Sequence, residues 1–147
     1  MKSRKTIALV AHDHRKSELA DWTRFNAGTL LDHGLVCTGT TGRLIAETLG
    51  PKATITRLKS GPLGGDQQLG AMIAEGRVDV LVFFWDPMEP VPHDVDVKAL
   101  LRIAVVYNIP VACNRSTADF LISSPLLEQN YEPRVKNFDE YLNRPLT

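Results

Sequence analysis

The chain has 147 residues, 17 basic (Lys and Arg) and 17 acidic (Asp and Glu) side chains, and hence a formal net charge of zero. This length suits one domain with a full core, and the balanced charge favours neither nucleic acid nor an anionic membrane as a partner. No apolar run is long enough for a signal peptide or a membrane span. We therefore expect a single cytoplasmic domain over 1–147, with its core at about 5–124 and a tail at 125–147.

Short apolar segments rich in β-branched residues alternate with longer segments of helical spacing. The predicted strands are 5–11, 35–39, 53–58, 78–85 and 109–114. The predicted helices are 15–31, 42–49, 66–75 and 96–107, with residues such as Leu19, Trp22, Phe25, Leu30 and Val105 facing the core. This alternation predicts an α/β, doubly wound (Rossmann-like) domain with a mainly parallel five-stranded sheet flanked by helices. Cys37 and Cys113 lie in apolar segments and are predicted to be buried free thiols.

Polar residues follow each predicted strand. Open α/β sheets bind ligands beyond the carboxyl ends of their strands, so these residues are the candidates for a site. They are His12, Asp13, His14 and Lys16 after the first strand, "TGTTG" (38–42) after the second, "SGPLGGDQQ" (60–68) after the third, Asp86 and "PHDVD" (92–96) after the fourth, and Asn114 after the fifth.

The "TGTTG" segment places three threonines and two glycines where a strand gives way to a helix. A helix N-terminus with free N–H groups and hydroxyls suits a phosphate or carboxylate, although a threonine there also serves as an ordinary helix cap. The segment is neither a P-loop nor a dinucleotide fingerprint, so the expected anion belongs to a small molecule. Lys16 would add positive charge, or it is simply a solvated surface lysine.

Acidic residues and an imidazole supply candidates for acid–base chemistry. Asp66 follows two glycines at a predicted helix start, where it could cap the helix or act as a general base. The apolar "LVFFW" (81–85) predicts a buried central strand, and the proline-rich loop after it would carry His93 and Asp96 to the ligand. Asp86 could instead pin this loop through backbone N–H groups. A metal site built from His12, His14, His93 and carboxylates is a weaker alternative, because no recognised metal motif is present.

Three longer motifs carry a family resemblance: "IALVAHDHRK", "CTGTTGRLI" and the run from "SGPLGGDQQLGAMIAEG" through "FFWDPMEPVPHDVDVKALLR" to "ACNRSTADFLI". They resemble the methylglyoxal synthase family from about Ile7 to Ile122. The resemblance implies a lyase that converts dihydroxyacetone phosphate into methylglyoxal and inorganic phosphate without metal or organic cofactor. It also implies a homohexamer that phosphate can inhibit.

The resemblance further assigns roles to individual residues. It implies that Asp66, His93 and Asp96 are catalytic and that no residue binds a metal. The implied substrate-binding residues are His12, Lys16, Thr38, Gly39, Thr40, Thr41, Ser60, Gly61, Asp86 and His93. The departures from the family pattern lie at the N-terminus, in the loop around 51–54 and in the tail, away from these positions.

Two other functions stay open on the residues alone. The domain could be a binding module that senses a phosphorylated metabolite, or a metal-dependent phosphatase or lyase that uses the His and Asp clusters. A sensor of a dianion gains nothing from three acid–base groups around its ligand, which favours the enzyme. An isomerase acting on the same substrate would differ only in geometry, since it must hold the C–O bond to phosphate in the plane of the enediolate.

Overall fold

The computed structural model describes residues 1–90 and 92–147, so Val91 of the loop predicted to carry His93 lies outside the described residues. One sheet contains the strands Thr6–Ala11 (β1), Gly34–Thr38 (β2), Thr54–Leu58 (β3), Val80–Phe84 (β4) and Val111–Ala112 (β5). Their order is β3-β2-β1-β4-β5, and every strand pair is parallel. The predicted α/β fold with a five-stranded sheet is confirmed, and the order reverses between β1 and β4.

Helices cover both faces of the sheet. They are Lys16–Phe25 (α1), Ala27–Leu30 (α2), Gly39–Leu49 (α3), Gly65–Ala74 (α4), Asp94–Val106 (α5), Arg115–Ile122 (α6) and Asp139–Leu142 (α7), with short 3₁₀ turns at Asp13–Arg15, Gly61–Leu63 and Pro125–Glu128. Helices α1, α3 and α6 pack in one core cluster, and α4 and α5 pack in the other. None of the described helices has the length and hydropathy needed to cross a bilayer.

Alternate residues of each central strand pack in the two core clusters. In β1, Ile7 and Leu9 face the side of α1 and α3, whereas Ala8 and Val10 face the side of α4 and α5. All five residues of β4 are buried, as predicted for a central strand, but Trp85, the last residue of "LVFFW", lies beyond the strand and is half-buried. This strand ends at Phe84, next to the end of β1, so the loop after it opens at the point where the strand order reverses.

Three details of the predicted helices are wrong. The segment 15–31 is two helices, because the chain leaves helical geometry at Asn26, whose side chain donates to the carbonyl of Trp22 at 2.9 Å. Phe25 is 83% exposed because it lies about 120° around the helix from Leu19. Val105 is 74% exposed, whereas its neighbour Ala104 fills the core position.

Both cysteines are free thiols, as predicted, but only Cys37 is fully buried.

Candidate active site

A cavity of about 360 Å³ opens at the carboxyl ends of the first three strands, under the loop that follows β4. Ten of the twelve predicted site residues line it: His12, Lys16, Thr38, Gly39, Thr40, Thr41, Ser60, Gly61, Asp66 and His93. Two predicted residues, Asp86 and Asp96, do not belong to its wall. The fold therefore collects side chains from four separate parts of the sequence into one crevice.

One end of this cavity is suited to an anion. Thr38 ends β2, and Gly39, Thr40 and Thr41 form the first turn of α3, where backbone N–H groups have no partner within the helix. The ammonium of Lys16 lies at the start of α1 and donates to Thr40 Oγ1 at 2.6 Å. It also donates to Asp13 Oδ1 at 2.6 Å, and this contact lowers the pKa of Asp13. A lysine, two threonine hydroxyls and the N-terminus of α3 thus lie at the same end of the cavity.

The segment after β3 joins the anion end of the cavity to the helix that carries Asp66. The Lys59 carbonyl accepts from the Gly39 N–H at 3.1 Å, and the Ser60 carbonyl accepts from the Gly65 N–H at 2.9 Å. Gly39 has φ of +43°, and a Cβ there would lie 2.6 Å from Ser60 Cα. A Cβ on Gly65 would overlap the Lys59 carbonyl. These glycines permit the close backbone contacts that fix the starts of α3 and α4 relative to each other.

Asp66 is the buried carboxylate of the cavity. Its side chain lies in the first turn of α4 and only 5% of the residue is exposed. Oδ2 is buried and has no hydrogen-bond partner. Burial raises the pKa of Asp66, and the neighbouring Asp96 adds to this rise while His93 opposes it. An unpartnered carboxylate of raised pKa is a stronger base than a solvated one, so it is equipped to remove a proton from a bound substrate.

His12 is held in a defined protonation state. Its Nδ1 accepts from the backbone N–H of Asp86 at 3.1 Å, so the proton of the neutral ring resides on Nε2. Nε2 is buried and has no partner. Burial, followed by the charge of His93, lowers the pKa of His12. The ring therefore stays neutral and offers one N–H donor that no atom of residues 1–90 or 92–147 accepts.

His93 lines the cavity beside Asp66. It precedes α5, and its Nδ1 is buried without a partner. The ring centroids of His93 and His12 are 6.1 Å apart. A Cβ on Gly61 would lie 3.2 Å from both His93 Nε2 and Asp66 Oδ2. The absence of a side chain at Gly61 thus leaves space between the carboxylate and the imidazole.

Asp86 and Asp96 do not line the cavity: Asp86 contacts its residue His12, and Asp96 contacts Gln67 in a neighbouring groove. Asp86 is buried at the end of β4, where Oδ1 accepts from the Met88 N–H at 3.0 Å and the backbone N–H holds His12. This arrangement matches the loop-pinning alternative for Asp86. Asp96 Oδ1 accepts from Gln67 Nε2 at 2.7 Å, in a groove between α4 and α5. The sequence did not single out Gln67; its position directly after Asp66 was the available signal.

The metal alternative is not supported by the cavity itself. Among residues 1–90 and 92–147, the one group of three with ligand atoms within 4.8 Å of each other is His14, Asp86 and Glu89. It includes neither His12 nor His93, and two of its members are exposed. His12 already uses Nδ1 for the Asp86 N–H, so its ring has one nitrogen left and that nitrogen carries the proton.

Comparison with known proteins gives a consistent result. The MGS-like domain family matches residues 18–113. The methylglyoxal synthase of Oleidesulfovibrio alaskensis is 58% identical over 144 residues, which cover 98% of this chain and 97% of that protein. The methylglyoxal synthase of Pseudoalteromonas atlantica is 61% identical over 135 residues, which cover 91% of this chain and 98% of that protein.

A solved structure extends this similarity to three dimensions. The crystal structure of methylglyoxal synthase from Elizabethkingia anophelis superimposes with a TM-score of 0.94 at 54% identity, covering 100% of this chain and 95% of that one. Fold, cavity and near-complete sequence coverage lead to the same assignment. The chain belongs to the methylglyoxal synthase family of carbon–oxygen lyases.

Proposed function

We propose that this chain converts dihydroxyacetone phosphate into methylglyoxal and inorganic phosphate, with Asp66 as general base and with neither a metal nor an organic cofactor. The observation that carries the mechanism is the set of three buried polar atoms without partners, Asp66 Oδ2, His12 Nε2 and His93 Nδ1, on residues that line one cavity. Buried polar atoms are nearly always hydrogen-bonded, so three in one crevice indicate groups reserved for a ligand.

The phosphate of the substrate would bind at the first turn of α3. Thr40 and Thr41 supply N–H groups and hydroxyls there, and Lys16 supplies the positive charge. The contact between the Lys16 ammonium and Thr40 Oγ1 places the charge at the helix start, where the phosphate would bind. Binding the phosphate at this end directs the three-carbon chain toward Asp66 and the two imidazoles.

Asp66 would remove a proton from the hydroxymethyl carbon beside the carbonyl. Charge then develops on the carbonyl oxygen as the enediolate forms, and an N–H donor already aimed at that oxygen lowers the barrier. His12 fits this role because its neutral ring carries the proton on Nε2. A neutral imidazole polarises the oxygen and keeps its own proton, so the intermediate retains the electron density that the next step needs.

Phosphate would leave from the carbon next to the enediolate. The electrons of the enediolate expel it by forming a new carbon–carbon double bond as the C–O bond breaks, and the resulting enol collapses to methylglyoxal after proton transfer. This requires the C–O bond to stand out of the enediolate plane. His93 lines the cavity beside Asp66 and is our candidate for moving the proton that the product needs.

The test is a product balance with purified protein, dihydroxyacetone phosphate and excess chelator. Methylglyoxal and free phosphate are followed together for the wild type, Asp66→Asn and the matched control Asp32→Asn at the opposite end of the sheet. We expect equal amounts of both products from the wild type and from the control. Asp66→Asn should lose activity while it still binds phosphate.

Other outcomes point to the competing functions. Phosphate released without methylglyoxal would make the protein a phosphatase, and activity that disappears with chelator would indicate a metal. Binding of phosphate without turnover would make it a sensor. Conversion of the substrate to glyceraldehyde 3-phosphate would make it an isomerase, with the C–O bond held in plane.

The proposal extends to a cytoplasmic homohexamer that inorganic phosphate inhibits. Exposed apolar side chains support an oligomer: Phe25 on α1 and Phe120 on α6 are 83% and 82% exposed, and Val105 on α5 is 74% exposed. Phe25 and Phe120 lie on helices of one side of the sheet and Val105 on a helix of the other, and contacts with further copies of the chain would cover them. Light scattering on the purified protein should give six times the mass of one chain, and a monomer mass would contradict the hexamer.

A further inference from the structure

Asp66 can be reached from two sides of the protein. One side is the substrate cavity, and the other is a groove between α4 and α5 that Asp66 shares with Gln67 and Asp96. Asp96 lines this groove and not the cavity, so its carboxylate lies behind the base as seen from the substrate. A direct contact between Asp96 and a substrate in the cavity is therefore not the arrangement that the geometry offers.

Gln67 connects the two helices at this point. It follows Asp66 in the first turn of α4, and its Nε2 donates to Asp96 Oδ1 in the first turn of α5 at 2.7 Å. This is a short bond from a neutral donor to a carboxylate, the stronger kind of side-chain hydrogen bond. Both side chains reach solvent, and without the bond the Asp96 carboxylate would be free to rotate away from the base.

We propose that Gln67 is a positioning residue for the reaction: it holds the Asp96 carboxylate behind Asp66, so that a fixed negative charge faces the base from the side opposite the substrate. This inference rests on the proposed role of Asp66 as the base. A nearby negative charge makes it harder to ionise Asp66 and makes the ionised form a stronger proton acceptor.

The other charged groups around Asp66 act against this contribution, whereas burial acts with it. His93 stands beside Asp66, and the N-terminus of α4 lies directly under it; both favour the ionised carboxylate and weaken it as a base. Across the cavity, the Lys16 ammonium acts in the same direction, partly offset by its partner Asp13. Asp96 is the carboxylate that counters these groups from the groove, and the effect of Asp96 depends on where Gln67 holds it.

The experiment compares Gln67→Met, Asp96→Asn and the double variant with the wild type. Gln67→Met keeps the length of the side chain and removes the donor, and because Gln67 is exposed we expect normal folding. Gln129→Met makes the same chemical change in an exposed residue of the C-terminal segment and is the matched control. The first measurement is the titration of the Asp66 carboxyl by NMR in protein labelled with ¹³C-aspartate, with the resonance assigned from its absence in Asp66→Asn.

We expect the Asp66 midpoint to fall in Gln67→Met and to stay unchanged in Gln129→Met. The turnover rate of Gln67→Met should fall about threefold to tenfold, with little change in KM and with the acid limb of the pH profile shifted to lower pH. In the Asp96→Asn background, Gln67→Met should cause no further change, because its effect passes through Asp96.

An unchanged midpoint in folded Gln67→Met, or an equal shift with and without Asp96, would overturn the inference. The titration does not depend on turnover, so it distinguishes this inference from the proposed function. A protein that fails to make methylglyoxal but shows the shift in midpoint would refute the reaction and retain the role of Gln67 toward Asp66.

Discussion

The two ends of the sheet use their polar side chains differently. At the amino end, Asp79 Oδ2 accepts from the Thr6 N–H at 2.8 Å, and His33 Nδ1 accepts from the Lys5 N–H at 3.0 Å, although His33 Nε2 is buried without a partner among the described residues. The Lys5 ammonium is buried and donates to the carbonyls of Lys2 and Gln129. At the carboxyl end, Asp66, His12 and His93 each keep a buried atom without a partner.

We use this difference to separate structural groups from the proposed functional ones. At the amino end, side chains complete the hydrogen bonding of strand backbones and attach the C-terminal segment, so their removal should weaken the fold. At the carboxyl end, the groups are held in place but their bonding capacity is left open, which lowers stability and makes them available to a ligand. Each end can therefore be tested by whether a substitution changes stability or turnover.

The largest effect should come from Asp66→Asn. We expect the turnover rate to fall about 10²- to 10⁴-fold, because the proposed general base is lost. The same substitution should stabilise the protein at neutral pH, since folding raises the pKa of Asp66 above 3.8 and ionisation of this buried group disfavours the folded state. The stabilisation should vanish below pH 3.8, where the carboxyl is protonated in both states.

Urea denaturation at several pH values measures the stability change alongside the kinetics. A variant less stable than the wild type at neutral pH would show that Asp66 also stabilises the fold. That result would contradict the division between stabilising groups at the amino end and ligand-binding groups at the carboxyl end.

The next effect in size should come from Gly61→Ala. A Cβ would approach both Asp66 Oδ2 and His93 Nε2 to 3.2 Å, so both groups must shift. Small displacements of reacting groups are costly, and we expect turnover to fall about 10- to 100-fold. The control is Gly28→Ala, since a Cβ at Gly28 meets no atom within 4 Å. Steady-state kinetics measure both variants. If Gly61→Ala is as active as Gly28→Ala, the space beside Asp66 is not needed for turnover.

At the amino end, Asp79→Ala should change stability and leave catalysis intact. The Thr6 N–H loses its acceptor, and we expect the free energy of unfolding to fall by about 1–3 kcal/mol. Asp79→Asn, which keeps an acceptor oxygen, should lose less. Denaturation curves and the turnover rate of the folded variants test this. A marked loss of turnover in Asp79→Ala would show that a group at the amino end also affects catalysis.

The smallest effect should be the pH dependence contributed by His33. Burial, and then the charge of Lys5, lowers the pKa of His33 from its usual 6.5. Below pH 6.5 the unfolded chain takes up a proton that the folded ring resists, so stability falls as the pH decreases. His33→Asn should flatten this part of the stability curve between pH 7 and pH 5. His12 contributes a dependence of the same sign, so a curve in His33→Asn as steep as that of the wild type would assign the effect to His12 alone.

The sequence predicted the positions of the site better than its contacts. Apolar runs followed by polar residues located Thr38 and His12 at strand ends, and a parallel sheet necessarily brings such ends together. The state of His12 was not predictable, because it depends on a backbone N–H of Asp86, 74 residues away. The Gln67–Asp96 contact depends on how two helices pack, and the exposure of Phe25 depends on how α1 is rotated against the sheet.

The backbone segment after β3 has a consequence for substrate choice. Its adjacent carbonyls, those of Lys59 and Ser60, bind the first residue of α3 and the first residue of α4. The starts of the two helices that carry the proposed phosphate cradle and the proposed base are thus fixed by two consecutive peptide units. These peptide units set the distance that a substrate must span between its phosphorus and its acidic C–H bond. A ketose phosphate one carbon longer would place the proton beyond the reach of Asp66, however well its phosphate binds.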